Sequence, residues 1–510
     1  MIANTGGATA RRRAWAGLAV LVLPVLVISL DVTVLYLALP AVSAALRPSA
    51  TELLWIVDVY PFLLAGLLIT MGAVGDRIGR RRLLLVGAAG FGAASLLAAC
   101  STTPGMLIAA RALLGIAGAT LMPSALALVR HLFPDARQRA SAIAVVTAGF
   151  AVGAALGPLV GGALLARFWW GSVFLVNVPL MALFLVLGRL LPGDRGEGAR
   201  RIDLLSAGLS LAAVLLAISA IKALATGGGE AWHPFLTLTA GAAFGVSFAL
   251  RQRRLAEPMI DPAVVAAPAS RVSVGTNVLA SFGMVGSALF AGQYLQLVAG
   301  ESPLAAGLWL LPGAVAAVSG AALASVLARR SRPAVAIGSG LALAAAGFGA
   351  LALVSVDAAV WPVVLGTALL GVGLTMTLSV TAGLIIASAP PRHAGAAGGV
   401  VETSEKLGSA SGAAVLGALH AVLYRAGVDA AAPPEAPADA VAAARETLGS
   451  ALAVAARLSG GAGPALREAA TTAFVSGMRV VMLACLVAFA ATAVVATVLL
   501  RRVPGDSPRP

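Results

Sequence analysis

The chain of 510 residues is 60% hydrophobic and only 11% charged, and its mean hydropathy is +0.97. Soluble proteins carry about 25% charged residues, so this composition excludes an ordinary soluble enzyme, which needs more polar surface. The formal net charge of +14 indicates either a nucleic-acid partner or basic cytoplasmic loops of a membrane protein, and the positions of the basic residues distinguish the two.

Apolar stretches of about 20 residues, the length that spans a bilayer, recur along the whole chain. They predict an all-α membrane protein with fourteen transmembrane helices. The first stretch is longer than the roughly 7–15 apolar residues of a signal peptide, so we interpret it as a retained helix. The predicted spans are 14–39, 52–74, 83–101, 105–129, 140–166, 171–191, 204–225, 233–250, 272–298, 304–328, 334–355, 358–388, 395–424 and 471–500.

The basic residues are distributed unevenly between the two sides of these spans. If the N-terminus is cytoplasmic, 25 of the 35 basic residues fall in cytoplasmic loops and 6 in the opposite loops. This is the positive-inside pattern, and it predicts that the segments 1–13 and 501–510 are both cytoplasmic. The net charge therefore indicates orientation in a membrane, and no nucleic-acid partner is expected.

Three charged residues in the first four spans are expected at one depth of the membrane. Asp31 lies in span 1, Asp58 in span 2 and Arg111 in span 4. Charged groups inside spans are costly and indicate function, and a buried carboxylate beside an arginine can exchange a proton. The alternative is a purely structural ion pair between Asp58 and Arg111, which leaves Asp31 as the acid without a basic partner.

Span 13 carries a second group of charges. Glu402 and Lys406 are four residues apart and can pair along the helix, and Glu405 lies one turn from Glu402. If Lys406 neutralises one acid, the other remains available for a cation. The alternative is that this segment lies among the inner lipid headgroups and that its acids are merely solvated.

Other polar and aromatic residues in the spans are candidates for lining a cavity. The aromatic rings can stack on a flat cation or anchor the helices at the membrane interface. The polar candidates, which the sequence does not rank, are Asn177, Asn277, Gln293, Gln296, Thr375, Thr377 and Thr381. The aromatic candidates are Trp55, Tyr60, Phe62, Phe290, Tyr294 and Trp309.

The loop after span 2 has a specific order of residues. It contains Gly72, Asp76, Arg77, Gly79 and Arg80, followed by two further arginines. Glycine permits a tight turn, and the arginines favour the anionic inner leaflet. The order is more specific than that of a plain basic loop.

Span 5 carries four glycines at intervals of four residues, which places them on one helix face. They are Gly149, Gly153, Gly157 and Gly161, with Pro158 beside the third. Such a face allows another helix to approach closely, and the proline permits a bend.

The segment 425–470, on the predicted outer side, is rich in alanine and proline. Leu448, Leu452 and Leu458 fall near one helical face, and glycines follow at 460–463. We interpret the segment as a short amphipathic helical hairpin; the alternative is a disordered linker.

In this order the motifs resemble those of a known family. The run 30–40 in span 1, the run 54–60 in span 2, the loop at 72–82, the span-4 arginine, the span-5 glycines and the run 170–179 resemble the fourteen-helix drug:proton antiporters of the major facilitator superfamily, of the QacA, SmvA and LfrA type. The resemblance covers nearly the whole chain. Tyr36 departs from the asparagine common in the wider family, and no acid occurs between Leu304 and Ala328, where some relatives have one that matters for divalent cations.

The resemblance implies a fold of two six-helix bundles, 14–191 and 272–500, with two helices inserted at 204–250. It implies proton-coupled export of lipophilic, often cationic compounds by alternating access across a bacterial cytoplasmic membrane. Proton coupling is then expected at Asp31, Asp58, Arg111 and Glu402. Substrate binding is expected at Asp31, Glu402, Glu405, Tyr36 and Tyr294. The loop after span 2 and the span-5 glycines are expected to act in gating and helix packing.

The expected partners are small molecules, protons and membrane lipid, and the protein is expected to act as a monomer without cofactor or metal. One alternative is a dedicated exporter of a single secondary metabolite that gives self-resistance. A membrane-embedded enzyme or sensor is disfavoured because the sequence has no nucleophile, metal or phosphate-loop motif and no soluble sensory domain. A nutrient importer is disfavoured because the span-5 glycines resemble an exporter motif.

Overall fold

The computed structural model describes residues 5–133, 135–193, 203–226, 232–255, 267–356, 360–388 and 394–501. Within these ranges the chain forms α-helices, with no strand. They are α1 (Thr5–Leu46), α2 (Ala50–Ile78), α3 (Arg80–Ala99), α4 (Pro104–Leu132), α5 (Ala136–Leu165), α6 (Ser172–Leu175), α7 (Asn177–Leu187), α8 (Leu204–Thr226), α9 (Trp232–Gln252), α10 (Pro268–Gln293), α11 (Pro303–Arg330), α12 (Pro333–Ala352), α13 (Trp361–Ala387), α14 (Ala394–Ala431), α15 (Ala438–Glu446), α16 (Leu448–Ala455) and α17 (Ala462–Leu500).

The prediction of an all-α membrane fold is confirmed. Each predicted span falls on a helix, and in the described ranges twelve helices are long and apolar enough to cross a membrane. The two other predicted spans, on α5 and α8, contain shorter apolar stretches, Val152–Leu165 and Leu205–Ala217. The count of fourteen crossings and the cytoplasmic location of both ends stay predictions, and most of the predicted tail 501–510 lies outside the described residues.

Local sequence signals set the helix ends. Ser49 and Glu52 form a capping box at the start of α2, where each side chain bonds the backbone N–H of the other residue. Gly79 joins α2 to α3 with a φ of 96°, a conformation that residues with a Cβ rarely adopt. Helix α1 begins at Thr5, before the first predicted span, because the alanines and arginines at 8–14 are good helix formers.

The helices form two bundles whose outer ends are in contact; "outer" denotes the side predicted to be extracellular. In the N-terminal half α1 packs along α5 and α2 along α4, and in the C-terminal half α10 packs along α14 and α12 along α13 and α17. Between the halves, the Gln296 side chain donates to the Leu37 carbonyl oxygen over 2.8 Å. On the neighbouring side, α5 lies against α11, where a Cβ on Gly162 would be 2.6 Å from the Pro303 carbonyl oxygen. The halves are therefore closed together on the outer side.

The inserted helices α8 and α9 form a hairpin fastened at its predicted cytoplasmic end. Arg251 donates to Asp203 over 3.0 Å and to Ser206 over 3.2 Å, and Gln252 also donates to Ser206. Helix α8 packs against both α2 and α14, so the hairpin covers one of the two seams between the halves. The outward face of α9 is apolar and exposed, with Phe235 and Val246 each more than half exposed.

The bond between Asp203 and Arg251 gives a prediction about pH. Partial burial acts to raise the pKa of Asp203, but hydrogen bonds from Ser206 and the Arg251 guanidinium outweigh it and lower the pKa overall. A folded-state pKa below the unfolded value of about 4 stabilises the protein at pH values above about 4. This stabilisation is lost as the pH falls through the folded-state pKa. We expect Asp203→Asn to lower thermal stability at pH 7 by no more than about 1 kcal/mol, and the difference from wild type to shrink towards pH 3. Thermal unfolding in detergent at both pH values measures this, and a difference independent of pH would contradict it.

The outer segment 425–470 forms two short helices, α15 and α16, that bridge the halves. The Tyr424 hydroxyl donates to the Ala444 carbonyl oxygen over 2.9 Å, which ties α15 to α14. Glu446 accepts a hydrogen bond of 2.9 Å from the backbone N–H of Ala50, in the first turn of α2, where helix N–H groups lack partners. A Cβ on Gly449 of α16 would lie 3.0 Å from the Ser43 Cβ of α1. A segment of the C-terminal half thus rests on two helices of the N-terminal half.

A disulfide between positions 43 and 449 is expected to arrest transport. Disulfide Cβ atoms lie about 3.8 Å apart, so Ser43→Cys with Gly449→Cys needs little movement in the closed arrangement. Because the alternating access expected from the resemblance would separate the outer ends, the oxidised double variant should lose most of its efflux and regain it with a reductant. The background is Cys100→Ser with Cys485→Ala, the two native free thiols, and the single-cysteine variants are the controls. Full transport by fully cross-linked protein would show that this contact persists through the cycle.

Candidate transport site

The centre of the N-terminal half contains a buried ion pair. The Arg111 guanidinium of α4 lies 2.7 Å from the Asp31 carboxylate of α1, and both side chains are almost completely buried. Arg111 also donates to the Ile56 carbonyl oxygen over 3.2 Å, and its guanidinium carbon lies 4.4 Å from the centre of the Tyr60 ring. One cation therefore joins α1, α2 and α4.

The ion pair corrects one sequence interpretation. The alternative pairing assigned Asp58 to Arg111 and left Asp31 without a basic partner, whereas the structure pairs Arg111 with Asp31. The depth of a residue can be inferred from hydropathy. The rotation of each helix about its axis cannot, and that rotation decides which side chains are in contact. Asp58 is fully buried on α2. Tyr36 is buried on α1 and lies within electrostatic range of Asp58 and Arg111.

Asparagine 177 completes the surroundings of Asp31. Its side-chain nitrogen donates to Asp31 over 2.9 Å and to the Ser95 hydroxyl over 3.2 Å. The sequence analysis ranked Asn177 no higher than the other polar residues. The sequence nevertheless contains an indication of this contact. An amide within an apolar span needs a hydrogen-bonding partner, and charged residues of the other spans are the partners expected there.

The C-terminal half contributes the second group of charges on α14. Glu402, Glu405 and Lys406 are partly buried, and the Lys406 ammonium lies 5.5 Å from the centre of the Phe150 ring of α5. The Phe150 carbonyl oxygen in turn accepts from Ser29 of α1, two residues before Asp31. Lys406 therefore reaches across to the N-terminal half and contacts α5 near the point where α5 is bonded to α1.

Asparagine 277 fixes the helices around the α14 charges. It donates to the Ser404 hydroxyl over 2.7 Å and accepts from the Thr381 hydroxyl over 2.8 Å. These bonds join α10, α13 and α14. The amide is satisfied at both its ends.

The structure does not bring Tyr294 to the acids. Its hydroxyl donates to the Ser355 carbonyl oxygen over 2.8 Å, in the connection between α12 and α13. Asn277, which marks the level of the α14 charges, lies seventeen residues earlier in the chain, or about 25 Å along the helix. A nearby outer cavity of about 60 Å³, lined by Gln293, His420 and Glu446, has room for a few water molecules and none for a drug-sized cation.

The glycine face of α5 packs against the helix that carries Asp31. Added Cβ atoms would meet Val22 at Gly149, the Leu26 carbonyl oxygen at Gly153, Thr33 at Gly157 and Val34 at Gly161. Pro158 faces α11, where its carbonyl oxygen stands against Gly307. The spacing of four thus allows α1 and α5 to lie in close contact from Gly149 to Gly161, over about three and a half turns.

The loop between α2 and α3 is a tight turn. Its sharp bend is at Gly79, and Gly72 faces Pro123 of α4. Arg77 is exposed, and Arg80 begins α3. Arg81 donates to the Arg189 carbonyl oxygen after α7. The side chain of Asp76 lies outside the described residues.

Together these features define a class of protein. A helical membrane protein of two bundles, with charged residues inside its predicted spans and a glycine-lined contact between helices, has the features of a secondary transporter. The chain belongs to the Major Facilitator Superfamily, whose family model matches residues 21–413. It is a multi-pass membrane protein of that family.

Curated relatives resemble the chain over most of its length. It is 43% identical to the multidrug efflux pump LfrA of Mycolicibacterium smegmatis, covering 95% of this chain and 96% of the relative. It is 36% identical to the methyl viologen resistance protein SmvA of Salmonella typhimurium, covering 91% and 93%. It is 37% identical to the puromycin resistance protein pur8 of Streptomyces alboniger, covering 79% and 81%. The predicted resemblance is confirmed.

A solved structure supports the fold. A bacterial homologue of the human lysosomal transporter Spinster superposes with a TM-score of 0.67, at 19% identity, over 98% of this chain and 99% of that chain. At this identity the likeness concerns the fold alone.

Proposed function

We propose that the protein exports lipophilic, often cationic compounds from the cytoplasm in exchange for protons. The observation that carries this proposal is the pair of charge groups in the centre, Asp31 with Arg111 on one half and the acids of α14 on the other. The relatives named for multidrug efflux and methyl viologen resistance support it. The protein acts without cofactor or metal and as a monomer, and its chemistry is binding and movement, not catalysis.

The charge balance of the centre favours exchange. Four carboxylates and two bases give a net charge of −2 when all are ionised, which attracts a cation. When two protons bind, the same group is neutral and a cation is released. Substrate and protons therefore compete for the same negative charge. The six residues are Asp31, Asp58, Glu402, Glu405, Arg111 and Lys406.

Each half has its own part in the cycle. Protons from the outer side reach Asp31 and Asp58, and protonation of Asp31 removes the charge that holds Arg111. Substrate enters from the cytoplasm or the inner leaflet and meets Glu402 and Glu405, with Tyr36 as an aromatic neighbour on the opposite half. The α1–α5 glycine contact and the α2–α3 turn are the places where the helices slide and bend.

A dedicated exporter of a single secondary metabolite is the second candidate. Relatives that are named for resistance to one antibiotic, such as puromycin, favour it. The two proposals differ in breadth of substrate. Under either proposal a dication such as methyl viologen is expected to be a poor substrate, because the predicted span 304–328 contains no acid.

The test uses purified protein in liposomes with an imposed pH gradient. A fluorescent lipophilic monocation should accumulate against its gradient, and a protonophore should abolish this accumulation. When the cation is added without an imposed pH gradient, its movement should drive protons in the opposite direction. Asp439→Asn, which removes an exposed acid of the outer segment, should behave as wild type. Transport of several unrelated cations supports the multidrug proposal and transport of one compound supports the dedicated exporter, whereas cation movement without protons would refute the exchange.

A further inference from the structure

Asn177 is placed between the Asp31 carboxyl group and the Ser95 hydroxyl. It is the first residue of α7 and is fully buried. Its two side-chain N–H groups are both used, one on the Asp31 carboxylate and one on Ser95 of α3. Its side-chain oxygen is buried and has no hydrogen-bond partner among the described residues.

The equivalent amide of the other half is arranged differently. Asn277 donates to the Ser404 hydroxyl and to the Val401 carbonyl oxygen, interacts with the Glu405 carboxylate and accepts from the Thr381 hydroxyl, so both ends of this amide have partners, as buried polar groups require. Asn177 instead donates to Asp31 and Ser95 and leaves its side-chain oxygen without a partner among the described residues. That arrangement suits only one protonation state of Asp31.

The charged and titratable groups around Asp31 come from several helices. Helix α4 provides Arg111, α2 provides Asp58 and Tyr60, and α1 itself provides Tyr36. Lys406 of α14 lies beyond Phe150. The face of α5 in contact with α1 is glycine and adds no charge. Within this set, Asn177 is the neutral side chain that bonds Asp31 directly.

We propose, resting on the proton exchange proposed above, that Asn177 is the positioning residue that holds Asp31 in its ionised form and transmits its protonation to α3 and α7. An amide N–H donates to the oxygen of an ionised carboxylate, whereas a protonated carboxyl oxygen can present its own O–H as a donor in the same direction. When a proton binds to that oxygen, the Asp31 O–H and the Asn177 N–H are both donors and face each other. Rotation of the amide by half a turn presents its oxygen, which then accepts from the Asp31 hydroxyl and from the Ser95 hydroxyl, whose hydrogen can rotate.

The rotation exchanges one unpaired group for another, so its intrinsic cost is small. In the ionised state the amide oxygen lacks a partner, and in the protonated state the amide nitrogen would. The protonation state of Asp31 therefore decides the orientation. Because Asn177 is the first residue of α7 and Ser95 lies in α3, protonation of Asp31 on α1 changes the hydrogen bonds of these two neighbouring helices.

The experiment compares two replacements of Asn177 by the pH dependence of transport in liposomes. Asn177→Leu removes the donors at similar volume, so Asp31 takes up its proton more easily and the pH of half-maximal transport should rise by about 1–2 units. Asn177→Asp has nearly the same shape but adds a like charge beside Asp31, so its midpoint should rise further. Thr120→Val, which removes a buried hydroxyl of α4 bonded within its own helix, should leave the midpoint unchanged.

The outcomes separate this inference from the proposed function. If wild type moves no protons, the exchange itself fails. If wild type exchanges protons but the Leu and Asp variants keep the wild-type midpoint, Asn177 is only a packing residue and the inference is overturned. If Asn177→Leu does not fold, the smaller Asn177→Ala variant decides alone, because it removes the same donors: our proposal predicts a raised midpoint, whereas a packing role predicts the wild-type midpoint.

Discussion

Replacing Asp31 by asparagine is expected to abolish proton-coupled efflux. The substitution keeps the shape of the side chain but removes the charge that pairs with Arg111 at 2.7 Å. An arginine left buried without its acid costs about 3–5 kcal/mol, which is more than a hundredfold in any equilibrium that the pair controls. Dye efflux from cells and proton movement in liposomes should both fall to background.

The control for Asp31→Asn is the double variant Asp31→Asn with Arg111→Gln. Removing both members of a buried pair is far less damaging to folding than removing one. The double variant should therefore recover expression and thermal stability but not proton exchange. If Asp31→Asn alone retains full activity, or if the double variant recovers coupled transport, Asp31 is not a proton site.

Replacing Gly153 by alanine is the second change expected to have a large effect. The new Cβ would stand 2.6 Å from the backbone carbonyl oxygen of Leu26 and 3.1 Å from the Ser29 Cβ. Neither neighbour is the flexible end of a long side chain, so α1 and α5 must move apart. Overpacking of this kind costs about 1–3 kcal/mol, and the displaced helix carries Asp31.

We expect Gly153→Ala to lower the unfolding temperature and to reduce efflux at least tenfold, as about 1.4 kcal/mol on the transport equilibrium would do. The matched control is Gly105→Ala on α4, where an added Cβ meets nothing within 4 Å. Efflux and thermal unfolding are measured for both variants in parallel. Wild-type efflux by Gly153→Ala would mean that the close approach of α1 and α5 is not needed for transport.

The sequence predicts the helices well because hydropathy is a property of the chain taken one segment at a time. Every predicted span contains a helix, and the span 171–191 contains two, α6 and α7. The α5 glycines stand against α1. The ends are less predictable: α17 begins at Ala462, nine residues before the predicted span, because its outer part is set by packing against α16 and not by lipid.

The pairing of residues between helices is what the sequence could not supply. Asp31 and Asp58 have the same expected depth, and only the rotation of α1 and α2 decides that Asp31 meets Arg111. Asn177 bonds Asp31 across 146 positions of chain, and Glu446 bonds Ala50 across 396. Contacts over such separations leave no periodic pattern within either segment.

The hairpin of α8 and α9 makes the two sides of the transporter unequal. Two similar bundles facing each other would present the same seam to the lipid twice. Here the seam where α2 meets α14 is covered by α8, while within the described ranges the hairpin does not cover the seam where α5 meets α11. The two sides of the molecule that face the lipid therefore differ. A hydrophobic compound dissolved in the bilayer meets the α8–α9 hairpin on one side and the uncovered contact between the two halves on the other.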